Sequence, residues 1–139
     1  MNYLLDTNVI SEVISKQPNP KVVQWMRETD PQQIFLSVLT IGEIKRGIAR
    51  LPNSSRKEEL ETWFGNTLLN QQEHRILAID LPVMLTWGQL TAELESQGRT
   101  LPVIDSLIAS IAMYHRLTLV TRNEKDFEGT GVIVLNPWL

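Results

Sequence analysis

A chain of 139 residues, 42% hydrophobic and 21% charged, carries enough apolar material for one core without staples. With no cysteine, it has neither a disulfide framework nor a thiolate metal site. The net charge of -3 is opposite in sign to that of most nucleic-acid binders. Either nucleic acid is not a partner, or several acids serve a metal ion that offsets them.

No stretch approaches the roughly 20 apolar residues that span a bilayer. The N-terminus lacks a basic leader and enters a strand at once. The expectation is a cytoplasmic protein without a membrane partner, folded as one domain over residues 1–139.

Tyr3-Leu4-Leu5 is a short apolar run that stops at Asp6-Thr7-Asn8, after which Val9, Ile10 and Val13 take up helical spacing. This predicts a strand turning tightly into a helix that reaches about Ser15. Asp6 then stands at the strand's carboxyl end, where open α/β sheets collect their ligands. Pro18 and Pro20 break that helix, and Lys21–Glu28 predicts another. Ile34–Ser37 predicts the second strand.

In the helix predicted over Thr40–Leu51, Ile41, Ile44, Ile48 and Leu51 form the buried stripe. Glu43 projects about 100° from Ile44, on the margin of the stripe. A long polar helix is expected from about Arg56 to Glu73, with Leu60, Trp63, Phe64, Thr67 and Leu68 on one face. Arg75–Asp80 predicts the third strand, and Pro82 opens a helix running to about Gln97.

Leu101–His115 predicts another helix, its stripe made by Ile104, Leu107, Ile108 and Ile111. Asp105 lies in its first turn, where the helix dipole favours a negative side chain. The small residues Ala109 and Ala112 flank it and permit close approach to another element. Leu117–Thr121 predicts the fourth strand, followed by Arg122-Asn123-Glu124-Lys125-Asp126-Phe127. Gly129-Thr130-Gly131 turns the chain into a fifth strand, Val132–Leu135. Strands alternating with helices in this way predict a three-layer α/β fold with a parallel sheet.

The acids Asp6, Glu43, Asp105 and Asp126, with Asn123, offer an oxygen-rich donor set. His74 and His115 stand alone, and there is no phosphate-cradling glycine loop or serine nucleophile motif. Clustered carboxylates repel one another unless a cation compensates, and Mg²⁺ or Mn²⁺ take such ligands. Metal-assisted phosphodiester hydrolysis is the reaction this set suits best. Arg46 and Arg50, beyond Glu43, are candidate phosphate clamps or simply a solvated face.

Four motifs carry a family resemblance. Asp6-Thr7-Asn8 resembles the opening motif of PIN domains. Ile41-Gly42-Glu43-Ile44, the run Pro102 to Ala109 around Asp105, and Thr121–Phe127 resemble the family's later motifs, in the same order. The terminal Asn136-Pro137-Trp138 resembles the FitB-like branch, and the whole chain resembles VapC/FitB-type toxins of toxin–antitoxin modules. The resemblance implies a parallel sheet of five strands in the order 3-2-1-4-5 and an Mg²⁺- or Mn²⁺-dependent endoribonuclease.

By the same resemblance, Asp6, Glu43 and Asp105 match the family's principal acids and are expected metal ligands. Thr7 and Thr121 are expected to hydrogen-bond those ligands. The family's fourth acid commonly falls at Asn123, here an amide, so Asn123 would orient water and Asp126 would supply charge. A homodimer, a VapB/FitA-like antitoxin that covers the groove, and operator DNA reached only through that antitoxin are also implied. A haloacid-dehalogenase-like phosphohydrolase with Asp6 as nucleophile is disfavoured, because its second aspartate would replace Asn8. A PIN fold retained only for binding RNA or protein is the remaining alternative.

Overall fold

Tyr3, Leu4 and Leu5 form a strand, β1 (Tyr3–Leu5), that pairs in parallel with a neighbour on each side. The computed structural model describes residues 1–70 and 73–139. Among them four further strands complete one parallel sheet: β2 (Ile34–Ser37), β3 (Ile76–Leu77), β4 (Thr118–Val120) and β5 (Val134–Leu135). The order is β3-β2-β1-β4-β5, as expected from the sequence.

Strand alternation divides the core into two layers. Leu4 and Leu119 point to one face and pack with Val83, Leu90, Ile108 and Ile111. These come from α5 (Leu81–Ser96) and α6 (Val103–His115). Leu5 and Val120 point the other way and pack with Val9, Val22, Ile44 and Ile48. Their helices are α1 (Thr7–Val13), α2 (Pro20–Glu28) and α3 (Val38–Ala49). Helices on both faces make the expected three layers, and each fully buried Leu or Ile contributes about 2 kcal/mol of burial.

Polar residues set the helix starts. Asp6, Asn19, Ser37, Ser54 and Asp80 each accept a backbone N–H from the first turn of the helix they precede. Among the described residues, no helix is long and apolar enough to cross a membrane.

Four local expectations need correction, the first being the fifth strand, expected over Val132–Leu135 and formed only over Val134–Leu135. The helix expected from Arg56 to Glu73 is α4 (Ser55–Trp63), followed by a π-helical turn over Phe64–Leu69. Both Phe64 and Leu68 are buried in that turn; Gln71 and Gln72 lie outside the described residues. The third strand is two residues long, because Asp80 leaves it to cap α5 through a 3.1 Å bond from the Val83 N–H. In α6 the buried residues are Ser106, Ile108, Ala109, Ser110, Ile111 and Ala112, while Ile104 is 39% exposed. The alanines bring α6 close against the core, and Ile104 stays outside that contact.

Candidate active site

The backbone N–H of Asp6 donates to the Val120 carbonyl at 2.9 Å, which ties the carboxyl ends of β1 and β4 together. The Asp6 side chain is only 6% exposed. Its Oδ1 accepts the Thr7 N–H at 2.8 Å, and its Oδ2 accepts the Thr121 hydroxyl at 2.8 Å. Asn8 Nδ2 lies 3.5 Å from the same Oδ2 and donates to Thr121 Oγ1 at 3.2 Å. The Asn123 N–H also donates to Thr121 Oγ1, at 3.1 Å.

Burial pushes the Asp6 carboxyl above its ordinary value; the Thr121 and Thr7 bonds oppose that shift, and the charges of Glu43 and Asp126 add to it. The bonds are those of an ionised carboxylate, whereas the burial and the neighbouring acids favour a neutral one.

Glu43 comes in from α3. Its Oε1 accepts the Thr7 hydroxyl at 2.5 Å, and the buried Thr40 hydroxyl lies 3.2 Å from Thr7. Thr40 in turn is set by Ser37, whose Oγ accepts the Thr40 N–H at 3.1 Å as the cap of α3. A row of hydroxyls thus fixes α3 against α1 at the height of the two acids.

Asp105, in the first turn of α6, is half-buried. Burial raises its pKa most, followed by the charges of Asp6, Asp126 and Glu43. Helices on opposite faces of the sheet therefore bring their acids within electrostatic reach of one another.

These side chains line an open groove of about 520 Å³ that includes Asp6, Thr7, Asn8, Glu43, Asp105 and Asn123. Its other wall is Ser11 and Glu12 of α1 and Ser15 just beyond it, with Arg122 and Trp138. Thr121 is buried beneath it. Asp126 does not line the groove, yet its charge acts on both Asp6 and Asp105.

Arg46 and Arg50 are exposed and do not line the groove. A helix advances 1.5 Å per residue, so they lie about 4.5 and 10.5 Å farther along its axis than Glu43. Both stand on the solvated face that was the alternative to a role as phosphate clamps.

The sequence reading missed Ser11, Glu12, Ser15, Arg122 and Trp138. A signal for the first three was present, since Asn8, Ser11, Glu12 and Ser15 follow one face of a helix. Trp138 had no comparable local signal, because its approach depends on where β5 returns the chain.

The family model for the PIN domain matches residues 3–132. The chain belongs to the PIN-domain family. This PIN domain is 36% identical over 135 residues to the toxin FitB of Neisseria gonorrhoeae, with 97% of each chain covered. It is 30% identical to the VapC ribonuclease Y4jK of Sinorhizobium fredii, covering 97% of this chain and 96% of that one. The crystal structure of FitAcB from Neisseria gonorrhoeae matches it with a TM-score of 0.93 at 36% identity, over 98% of each chain. The structure of VapBC2 from Rickettsia felis bound to a promoter DNA fragment matches with a TM-score of 0.77 at 27% identity, also over 98% of each.

Proposed function

We propose that this PIN domain is the toxin of a toxin–antitoxin pair and hydrolyses RNA with the aid of Mg²⁺ or Mn²⁺. The observation that carries the reading is the meeting of Asp6, Glu43 and Asp105 in one groove at the sheet's carboxyl edge. Relatives named as a toxin and as a ribonuclease support it over nearly the whole chain.

The donor set fits a hard divalent cation. Every acidic ligand candidate offers oxygen, and both raised carboxyl pKa values have causes that a cation would offset. Among the described residues, no three His, Cys, Asp or Glu side chains are arranged to hold an ion by themselves. Mg²⁺ keeps several waters and takes one or two carboxylates. Asp6 and Asp105 are those ligands in this reading, with Glu43 beside them. When bound, the ion supplies positive charge to the phosphoryl oxygens and acidifies the attacking water.

The chain's own residues do the positioning. Thr121 and Asn8 hold Asp6 in one orientation. Thr7 engages Glu43 Oε1, which leaves Oε2 to accept the proton of the attacking water. Asn123 contributes orientation where a fourth acid would contribute charge, and Asp126 adds charge from outside the groove.

The partner is a VapB/FitA-like antitoxin that occupies the groove, and operator DNA is contacted through it. The related FitAcB and VapBC2 complexes, the second with promoter DNA, support that assignment. A homodimer would cover Leu81, Leu85 and Val103, which are 72%, 67% and 65% exposed at the starts of α5 and α6. The working compartment in this reading is the cytoplasm.

Induced expression of the chain in a bacterial host without its antitoxin should arrest growth, and Asp6→Asn should abolish the arrest at equal protein levels. Equal arrest by the variant would remove Asp6 from the activity.

A further inference from the structure

The geometry points to Arg122, seated on the ring of Trp138, as the residue that binds an RNA phosphate beside the acid cluster. This inference deepens the ribonuclease reading and rests on it.

Arg122 directly follows Thr121, whose hydroxyl holds Asp6, so its side chain leaves a backbone already tied to the acids. Its N–H donates to Asn8 Oδ1 at 3.4 Å, and its carbonyl accepts Asn136 Nδ2 at 3.5 Å. The guanidinium lies 5.4 Å from the centroid of the Trp138 ring. Trp138 is itself fixed twice. Its indole N–H donates to Glu12 Oε1 at 3.2 Å, and its backbone N–H donates to Asn136 Oδ1 at 2.9 Å.

Glu12 is the acid that would otherwise pair with such an arginine, but it is engaged elsewhere. Besides the indole, its Oε2 accepts the Asn19 N–H at 3.2 Å. Among the described residues, the Arg122 guanidinium has neither a carboxylate partner nor a hydrogen-bond acceptor; its contact is the Trp138 ring. All five of its N–H donors remain for a ligand. Among the described residues that line the groove, Arg122 is also the only basic one.

These facts select a phosphate. An RNA strand in this groove meets the charges of Asp6, Glu43, Asp105 and Glu12, and a cation held by the first acids offsets them only where it sits. The neighbouring phosphate needs a counter-charge on the same wall. A guanidinium stacked on an aromatic face keeps its N–H edge free and oriented for a bidentate phosphate contact. Trp138 and Glu12 are positioning residues in this scheme, acting through Arg122.

The test is steady-state cleavage of a short single-stranded RNA by the full chain in Mg²⁺, measured across a series of KCl concentrations. Arg122→Ala should raise KM about tenfold, as loss of a charge-assisted bond does, and change kcat little. The slope of log(kcat/KM) against log[KCl] should become shallower by about 0.7, the amount by which one neutralised phosphate on a single strand steepens it. Arg122→Lys should restore the slope but only part of KM. Trp138→Leu should raise KM in the native background and add nothing to Arg122→Ala. Arg27→Ala, an exposed charge on α2, controls for net charge and should leave both quantities unchanged.

Native protein that cleaves RNA while Arg122→Ala leaves KM and the salt slope unaltered would overturn the inference alone. Additive losses from Arg122→Ala and Trp138→Leu would overturn the positioning role of Trp138. A native protein that cleaves no RNA would overturn the ribonuclease reading and this inference together.

Discussion

Asp6 serves two ends that conflict. It caps α1 and takes the Thr121 hydroxyl as an ionised group would, while its burial resists ionisation. Thr121 is the residue that tips this balance. Thr121→Val keeps the shape and removes the donor, so a buried oxygen is left with only the 3.5 Å contact from Asn8 Nδ2, at a cost of about 1–3 kcal/mol. Urea denaturation should show that loss, and calorimetric titration should show weaker Mg²⁺ binding.

Asp105 yields a prediction of opposite sign. Its folded pKa is raised above the ordinary 3.8. Between 3.8 and the raised value, the native state therefore holds more protons than the unfolded state, and metal-free stability falls as pH rises through that window. Above it the penalty is complete. Asp105→Asn should thus melt higher than the native chain at pH 7 without divalent ions, with the gap closing toward pH 4. Added Mg²⁺ should raise the melting temperature of the native chain and leave the variant nearly unmoved. A variant less stable than the native chain at pH 7 would contradict the electrostatic account of the site.

At the scale of elements, each strand-end motif was legible because it is local: an apolar run ends and a polar cluster follows. Asp6-Thr7-Asn8 and Thr121-Arg122-Asn123 both read this way, and a parallel sheet then puts them on one edge. The margin at Glu43 was legible too, since it flanks the buried Ile44, whereas the stripe drawn beside Asp105 included the exposed Ile104. What lay beyond local reading was the meeting of distant segments. The bond between Trp138 and Glu12 joins residues 126 positions apart. The exposed Ile104 likewise depends on how α6 sits against the core, which its spacing alone does not fix.

Gly129 tests one such long-range device. Its φ of +79° disfavours any L side chain, and a Cβ there would meet Arg99 Nη1 at 2.8 Å. Arg99 Nη2 donates to the Asp126 carbonyl at 3.0 Å, so the same arginine holds the turn that carries Asp126. Gly129→Ala should cost about 1 kcal/mol or more from the backbone alone. Urea denaturation measures that loss, and hydrogen exchange should show faster opening over residues 123–128.

At the scale of the whole molecule, a mildly acidic chain is consistent with a nucleic-acid enzyme once its charges are located. Acids from α3, α6 and the end of β1 meet in one groove, so a divalent ion and one arginine would offset most of the negative charge that RNA meets there. The parallel sheet makes this possible, because it presents every strand's carboxyl end on the same edge.

The most direct measurement is incubation of purified, antitoxin-free protein with total RNA in Mg²⁺, in Mn²⁺ and in EDTA, beside Asp6→Asn, with the product ends mapped. Cleavage at discrete sites that requires the divalent ion and vanishes in the variant is the expected result. A folded, metal-loaded native protein that leaves all RNA intact, or an Asp6→Asn variant that cuts as well as the native chain, would contradict it.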